Sequence, residues 1–527
     1  MPDISDLMQI APLVALAAVA LLVIVVDLMV PARMARGTIL VTAAGGLLVV
    51  GWYLLDLWSQ VVPLPEFAAR ALAPFGGALA LDGLSFAASA LILAAAFFAV
   101  LLSTTEQARD MSGYVSLMLL AALGMMVLAG TSDLMVMFVA LEVLSLSLYV
   151  LVAFRRGDAK AREGAFKYFL LGSVAAGLLL YGFALLYGVT GATKLAGIAA
   201  FARQGTIGPL YHAGFALVVI GFGFKLALAP FHTWAPDAYQ GAPAPVTAFM
   251  AIGTKAAAFV ALARFVWAAV PSDPVLAAAY LTPIGVLAGV SMLVGSLGAL
   301  FQTNLKRLLA YSGVAHAGYL FLPLMSLTPE AFGQSLFYLF AYLCMAGGAF
   351  AVLVARSVEA GGDAGAAADA AELSGWRGLY QRRPGLALAT ALFFLAMAGM
   401  PPTAGFTGKL FLITGGIEAR AWWLLAAMVA STGISAYVYL RVAGSVFRSP
   451  EAEAAAVAEM GPVPGAHLSG SHPAGAVGIV AGTAPSPLAW ERVAVGAVLL
   501  LAVAGILLLG LFPNLLLPGL QGLLPVR

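Results

Sequence analysis

Long apolar blocks, separated by short polar segments, run through most of this 527-residue chain. A typical block has about 18–25 residues, the length that an α-helix needs to cross a hydrocarbon core of about 30 Å. The blocks lack the alternation of a membrane β-strand, and a helix satisfies its own backbone groups where water is absent. The pattern predicts an all-α polytopic membrane protein of about 14 transmembrane helices, at residues 9–30, 38–58, 82–104, 113–130, 132–154, 165–188, 208–229, 246–270, 278–301, 306–326, 331–356, 386–400, 421–447 and 493–516.

Composition supports the membrane interpretation. Hydrophobic residues make up 62% of the chain and charged residues 9%, against about 45–50% and about 25% in soluble domains. The single cysteine, Cys344, excludes an internal disulfide and a cluster held by several thiolates of this chain. Asp3 and Asp6 precede the first block without a basic residue, so we expect this block to remain as a span and not to be a cleaved signal.

Basic residues predict the orientation. With the N-terminus outside, 17 of the 26 Lys and Arg residues fall in inside loops and 6 in outside loops or outer helix ends. Inside loops of membrane proteins carry the excess of positive charge. We therefore expect both termini on the outer side of a bacterial inner membrane.

Two proline-rich interruptions predict broken helices in the seventh and twelfth spans. The segment LALAPFHTWAPDAYQGAPAPV follows Lys225, and AMAGMPPTAGF precedes Lys409. Proline removes a backbone donor and interrupts a helix, and interrupted spans at matching places in two halves are typical of inverted-repeat transporters. Spans 4–8 and 9–13 would then form two inverted five-helix repeats, with the broken helix fourth in each.

This pattern predicts five regions. They are N-terminal helices 1–3 (1–112), a first five-helix repeat (113–270), a second repeat (278–447), a flexible cytoplasmic linker (449–489) and C-terminal helix 14 (490–527). The linker is rich in Pro, Gly, Ala and Ser, and we interpret its two histidines, His467 and His472, as incidental and not as metal ligands.

Four charged residues stand out because they lie deep in the apolar sequence: Glu142 in the fifth span, Lys225 in the seventh, Lys255 in the eighth and Lys409 just after the break in the twelfth. A charge at mid-bilayer costs about 2.5–3.5 kcal/mol, so such residues are retained where they face a packed interior or a water-filled path. One interpretation is that the lysines reach the headgroups or form structural ion pairs, as we expect for Lys194 or Arg264 near outer helix ends. The alternative is a proton relay, because burial favours neutral lysine and a nearby carboxylate favours its charged form. For the relay we predict that Glu142 pairs with Lys225.

Two histidines are secondary candidates. His316 lies inside the tenth span, where it would link the lysines, since histidine accepts and donates protons near neutral pH. His232 lies at the break after Pro230. For both, a hydrogen-bonded packing role is the alternative, and His212 at the start of a span is interpreted as interfacial.

Nucleotide and redox motifs are missing from the sequence. Gly408-Lys409 is followed by leucine and preceded by a helix break, unlike a phosphate-binding loop, and the glycines at 221 and 223 lack the third glycine of a dinucleotide fingerprint. We therefore expect no cofactor in this chain, and any electron transfer belongs to another subunit.

Three segments resemble a known family: GFGFKLALAPFHTWAPDAYQGAPAPVTAFMAIGTKAAAF, QTNLKRLLAYSGVAHAGYLF and AMAGMPPTAGFTGKLFL. They are similar to subunit N of the proton-pumping NADH–quinone oxidoreductase, respiratory complex I. This subunit belongs to the antiporter-like family, which also includes subunits of cation/proton antiporters and membrane-bound hydrogenases. The resemblance covers most of residues 80–447, whereas the 449–489 linker looks longer than is usual in the family.

The resemblance implies roles for the candidate residues. Glu142 and Lys225 match the coupling ion pair, Lys255 the central lysine, Lys409 the proton-exit residue and His316 a histidine of the polar axis. Lysine at the exit position is typical of subunit N, whereas the homologous subunit M usually has glutamate. The resemblance also implies partner subunits that carry flavin, iron–sulfur clusters and quinone, and neighbouring antiporter-like subunits in the membrane arm.

The leading hypothesis is a proton-translocating subunit of an NADH–quinone oxidoreductase, part of the enzyme but without a redox centre of its own. One alternative is a subunit of a cation/proton antiporter, which would exchange sodium for protons with the same core. A second is a non-conducting membrane scaffold. Buried charges argue against the scaffold, because apolar residues at those positions would stabilise it more.

Overall fold

The computed structural model describes residues 4–61, 72–106, 110–155, 157–204, 207–359, 370–449 and 489–520. Within these ranges the regular structure is helical, and extended residues pair only in isolated bridges. The predicted linker at 449–489 lies almost entirely outside the described residues.

The main helices take the numbers of the predicted spans, with a and b for the parts before and after a helix break. They are α1 Ala11–Met29, α2 Ala32–Val61, α3 Gly83–Leu102, α4 Met111–Gly130, α5 Leu134–Val152, α6 Ala159–Thr190, α7a Pro209–Lys225, α7b Ala235–Gly241, α8 Ala244–Ala269, α9 Pro274–Leu300, α10 Leu305–Tyr319, α11 Pro329–Glu359, α12a Pro384–Ala398, α12b Ala404–Glu418, α13 Trp422–Ser445 and α14 Ala489–Leu511. Short helical turns between or beside them are Ile4–Gln9, Pro74–Gly77, Ser103–Thr105, Leu195–Arg203, Phe321–Leu324, Leu373–Trp376, Leu379–Arg382, Pro513–Leu515 and Leu517–Leu520.

Eleven of the described helices are long and apolar enough to cross a membrane. The prediction of an all-α polytopic membrane protein is therefore confirmed. The other predicted spans contain the interrupted helices α7 and α12 and the 15-residue α10. The total of 14 spans and the inverted relation of the two repeats stay predictions.

Polar residues at the ends of the apolar blocks begin the helices. An acidic or amide side chain accepts a hydrogen bond from the first-turn backbone of six main helices, at Asp82, Asp110, Asp133, Asp158, Asp273 and Asn304. Such caps satisfy backbone donors that a helix leaves unpaired at its start. Five of the 24 acidic residues of the chain thus cap helices.

Both predicted helix breaks are present. α7a ends at Lys225 and α7b begins at Ala235, while α12a ends at Ala398 and α12b begins at Ala404. Lys225 therefore precedes its break, and Lys409 follows its own, as the sequence predicts.

Polar groups released by the first break find partners inside the protein. The Ala229 amide donates to Ser291 Oγ at 2.8 Å, and the Trp234 indole donates to the Phe224 carbonyl at 3.1 Å. The Lys306 ammonium donates to the carbonyl of Gln240 at 3.0 Å. Irregular backbone at membrane depth is tolerated where protein surrounds it in this way.

The two predicted repeats share one packing pattern. In α4–α8, the first helix packs on the second and fifth, and the third packs on the fourth; α9–α13 make the same three contacts. α8 and α11 are almost completely enclosed, whereas α1, α2, α6, α13 and α14 expose most of their apolar surface. The candidate lysines therefore lie in or beside the most enclosed helices of the bundle.

Candidate functional site

Three lysines and one histidine from the predicted set are sunk in the interior. Lys225 and Lys255 are 3% exposed, Lys409 is 6% exposed and His316 is 2% exposed. None of these side chains reaches the surface of the described protein, so the snorkelling interpretation is wrong for them. Glu142 is only partly buried.

Lys225 is held by hydroxyl groups from two neighbouring helices. Its Nζ donates to Ser145 Oγ on α5 and to Tyr168 Oη on α6, both at 2.9 Å. The Tyr149 ring lies 5.8 Å from the same nitrogen. A narrow cavity beside this group, lined by Ser145, Tyr149, Gly172 and Lys225 among others, has room for about one water molecule.

Glu142 does not touch Lys225. Both residues are described, yet no ion pair within 4.0 Å joins them, and Glu142 Oε1 is buried without a hydrogen-bond partner. The two charges interact across a gap, and Ser145, three positions after Glu142 on α5, is the direct partner of the lysine. The pairing predicted from the sequence is therefore electrostatic in this structure and not a salt bridge.

Three aromatic rings span the distance between the first two lysines. Tyr168, which accepts from Lys225, stacks on Trp234 with ring centroids 4.2 Å apart. Trp234 contacts the edge of Tyr239 at 6.4 Å, and Lys255 Nζ donates to Tyr239 Oη at 3.3 Å. The break after α7a positions Trp234 and Tyr239, so the irregular segment itself connects the lysine sites.

A π-helical turn, Met250–Thr254, comes directly before Lys255 in α8. Such a turn inserts a residue into the regular spacing and redirects the side chains that follow, and it is frequent at functional sites. Thr254 Oγ1 bonds to the Met250 carbonyl at 2.6 Å within it. Nothing in the sequence predicted this feature.

Tyr342 of α11 lies between Lys255 and His316. At Gly313 of α10, a β-carbon would come within 3.0 Å of Lys255 Nζ and 3.2 Å of Tyr342 Oη. The Tyr342 ring centroid is 5.0 Å from that of His316. The absence of a side chain at Gly313 thus leaves room for the lysine amine and the tyrosine hydroxyl to lie side by side.

Both ring nitrogens of His316 are engaged by tyrosine hydroxyls. Nδ1 pairs with Tyr338 Oη, and Nε2 pairs with Tyr439 Oη at 3.1 Å. The charges of Lys255 and Lys409 both act on this imidazole. His316 therefore lies between the central and last lysines, as predicted, although a packing histidine would also have its nitrogens bonded.

Lys409 bonds to the C-terminal end of α12a, the first part of the broken twelfth helix. Its Nζ donates to the carbonyls of Met397 and Ala398, the last residues of α12a, at 3.0 and 3.1 Å. The carbonyl end of a helix carries partial negative charge that stabilises a cation. The same nitrogen is 5.7 Å from the centroid of Tyr319, whose ring is 5.5 Å from His316.

His232 stands apart from these contacts. It is half-buried, its Nδ1 has no hydrogen-bond partner and its ring packs edge-on to Tyr311 at 6.1 Å. No described lysine bonds to it in the structure. His212 bonds through Nδ1 to Tyr280 Oη at 2.8 Å.

Arg264 differs from the expectation for a snorkelling residue. It is 6% exposed, and its guanidinium forms two bonds to Asp82, of 2.6 and 2.8 Å, at the start of α3. A third bond of 3.3 Å reaches the Ala129 carbonyl of α4. The prediction was wrong because the carboxylate partner comes from a distant part of the chain.

Hydroxyl groups are the candidate functional groups that the sequence analysis missed. They alternate with the amines and the imidazole along the row, and they come from Ser145, Tyr168, Tyr239, Tyr338, Tyr342 and Tyr439. A buried tyrosine hydroxyl usually requires a hydrogen-bond partner. Tyrosines inside apolar spans were the signal that would have identified them.

Comparisons with known proteins agree with this arrangement. The profile of the family described as NADH:quinone oxidoreductase/Mrp antiporter, TM matches residues 131–435. NADH-quinone oxidoreductase subunit N 1 of Symbiobacterium thermophilum is 46% identical over 445 residues, which cover 83% of this chain and 87% of that protein. Subunit N of Trichlorobacter lovleyi is 38% identical over 455 residues, or 85% of this chain and 89% of that one.

Solved structures give the same result. A chain of respiratory complex I from Thermus thermophilus with bound aureothin superposes with a TM-score of 0.73 at 35% identity, covering 97% of this chain and 99% of that one. A chain of the Mrp complex from Dietzia sp. gives a TM-score of 0.76 at 23% identity, covering 98% and 96%, and shows the shared fold alone. The chain therefore belongs to the NADH:quinone oxidoreductase/Mrp antiporter transmembrane family, as an antiporter-like subunit N of complex I.

Proposed function

We propose that this chain translocates protons as a membrane-arm subunit of an NADH–quinone oxidoreductase. Partner subunits hold the flavin and iron–sulfur clusters and reduce the quinone, and the energy released there drives proton transfer here. The relatives named as subunit N, at 46% and 38% identity, support this assignment. The chain acts as a translocase component of the enzyme, beside homologous antiporter-like subunits.

One observation carries the proposal: amines and an imidazole, each at most 6% exposed, follow one another through the bundle with hydroxyl groups between them. A structural scaffold gains nothing from such a row, because moving each charge out of water costs on the order of several kcal/mol. A relay requires it, because protons move between groups that both donate and accept.

The path begins at Glu142 and Lys225. A change of charge near Glu142 alters the stability of the charged form of Lys225 across the gap between them. When Lys225 releases its proton, Tyr168 and Ser145 are the groups in contact with its Nζ, at 2.9 Å each. The proton then passes to Lys255 by way of hydroxyl groups and water.

The second part of the path leads from Lys255 to Lys409. His316 accepts a proton on one ring nitrogen and releases one from the other, in contact with Tyr338 and Tyr439. Lys409, at the end of α12a, is the last protonated group before release. The carbonyls of Met397 and Ala398, which accept hydrogen bonds from its ammonium, stabilise the charged form of Lys409 until the next proton arrives along the path.

The distribution of basic residues supports the orientation of the chain in the membrane, and the direction of transport is part of the proposal. The excess of basic residues in alternate loops supports an inner-membrane location with both termini outside. Protons are taken from the cytoplasmic side and released on the outer side.

The decisive experiment separates proton exchange from a fixed positive charge. Arginine keeps the charge of lysine but is not deprotonated in proteins. We expect Lys255→Arg and Lys255→Met, in the complex reconstituted into vesicles, both to lower the number of protons pumped per NADH oxidised. Lys160→Met, at an exposed lysine on α6, is the matched control and should pump normally.

Three results would contradict the proposal. Full proton stoichiometry in Lys255→Arg would mean that only the charge is needed. Pumping that requires sodium and moves sodium in the opposite direction would favour the cation/proton antiporter. Normal pumping in Lys255→Met, with loss of stability alone, would favour the scaffold.

A further inference from the structure

A large cavity opens at one end of the bundle, away from the lysine row. It has a volume of about 660 Å³ and lies where α11 ends and where α12a and α14 begin. Four arginines line it: Arg356, Arg382, Arg383 and Arg492. These four side chains and the space between them are called the arginine cleft.

Among the described residues that line the arginine cleft, Glu491 is acidic, and its carboxylate already has a partner outside the cleft. Glu491 is 9% exposed and pairs with Arg36 of α2, with an N–O distance of 3.3 Å. Arg356 is fixed in place, since its Nη2 donates to the Gly375 carbonyl at 2.6 Å and its guanidinium lies 5.7 Å from the Trp376 ring centroid. Arg382 and Arg492, both exposed, are the two guanidinium groups of the cleft that face an incoming anion.

Below the arginines the walls of the cavity are apolar. On α14, Arg492, Val495, Gly496 and Leu499 line it with the spacing of a single helix face. This stripe runs from a charged residue at the helix start to a leucine about 10 Å deeper. Ala355, Val358 and Leu379 add further apolar side chains to the lining.

We propose that the arginine cleft binds the phosphate headgroup of an anionic phospholipid, with the acyl chains against α14. Guanidinium groups bind phosphate oxygens in paired hydrogen bonds. Helix ends lie at the level of the lipid headgroups, and basic pockets between transmembrane helices bind acidic lipids there. A soluble anion would use the arginines but would gain nothing from the apolar wall beneath them.

The test uses the intact purified complex, equilibrated in detergent micelles that contain phosphatidylglycerol or phosphatidylcholine. Native mass spectrometry measures the lipid retained. We expect the wild type to retain phosphatidylglycerol in preference to phosphatidylcholine. The double variant Arg382→Gln/Arg492→Gln should bind phosphatidylglycerol about 30-fold more weakly, at about 1 kcal/mol for each arginine.

Matched variants separate this site from general surface charge. Arg162→Gln/Arg448→Gln removes two exposed arginines that do not line the cleft, and it should bind the lipid as the wild type does. The double variant Arg382→Lys/Arg492→Lys keeps the charge but loses the paired geometry, and it should bind with intermediate affinity.

Three results would overturn the proposal. The first is equal retention of phosphatidylglycerol by the wild type and by Arg382→Gln/Arg492→Gln. The second is equal retention of phosphatidylcholine and phosphatidylglycerol by the wild type. The third is complete displacement of the lipid by inorganic phosphate, which would make the cleft a site for a soluble anion.

Discussion

Replacing Asp82 by asparagine should destabilise the protein more than any exposed substitution. Asp82 is 7% exposed and forms two short bonds to Arg264, of 2.6 and 2.8 Å. Asparagine keeps one amide oxygen that can cap α3, but it removes the charge and puts an NH2 donor in place of one of the two oxygens that accept from Arg264. The guanidinium then stays buried without a counter-charge, with the amide oxygen and the Ala129 carbonyl, at 3.3 Å, as acceptors, and its Nε has no hydrogen-bond partner in the structure.

The expected cost follows from this burial. Breaking one side of a buried ion pair costs about 3–5 kcal/mol, whereas replacing both partners by uncharged groups is often nearly neutral. We therefore expect Asp82→Asn and Arg264→Met each to lower the free energy of unfolding by about 3–5 kcal/mol. The double variant should cost much less than the sum of the two.

Denaturant titration of the purified chain in detergent gives the free energy of unfolding for each variant. The double-mutant cycle isolates the coupling between the two residues. A control at Asp56, an exposed acidic residue of α2, should change stability by less than about 0.5 kcal/mol. Strict additivity of Asp82→Asn and Arg264→Met would refute the reasoning, because independent sites share no buried charge.

Three further predictions concern the lysine sites. In Gly172→Ala, a β-carbon would lie 1.9 Å from Tyr149 Oη beside Lys225, so the free energy of unfolding should fall by about 1–3 kcal/mol. Adding Tyr149→Phe removes the hydroxyl and should restore part of the loss, and no recovery in the double variant would mean that the clash does not occur. Lys409→Met leaves two buried carbonyls at the end of α12a without their donor, and each unsatisfied carbonyl should lower the free energy of unfolding by about 1–3 kcal/mol. Denaturant titration measures this loss, and an unchanged unfolding midpoint would mean that these hydrogen bonds do not form. Glu142→Gln should alter the free energy of unfolding by less than about 1 kcal/mol, since Oε1 has no hydrogen-bond partner to lose. The same variant should slow proton pumping in vesicles, and normal pumping would mean that Glu142 is not part of the path.

Local features of the sequence predicted the helices and their interruptions. The length of each apolar block fixes whether a helix can cross the membrane, and the proline clusters after Lys225 and before Lys409 interrupt their helices, whereas the single Pro283 lies within the continuous α9. For these reasons the breaks after Lys225 and before Lys409 were predicted to within a few residues. The prediction that Lys225, Lys255 and Lys409 face the interior followed from the cost of charge in lipid.

Partners of these groups were beyond prediction from one sequence. Lys225 and Tyr168 are separated by 57 positions, His316 and Tyr439 by 123. Such contacts depend on which helix faces pack together, and an apolar span gives little indication of its facing neighbour. Ser145 as the direct partner of the Lys225 amine was beyond prediction for the same reason, and the pairing of Glu142 with Lys225 stays a prediction.

Sequence alone determined that this chain is a bundle of membrane helices with lysines held in its interior, because hydrophobic length and proline act locally. Tertiary structure alone decided what each buried charge touches. Arg264 shows the difference, since its place near a helix end suggested a headgroup contact, but a carboxylate 182 positions away meets it in the interior. The free energy of a buried charge is set by its neighbours in space, and these are fixed only when the helices pack.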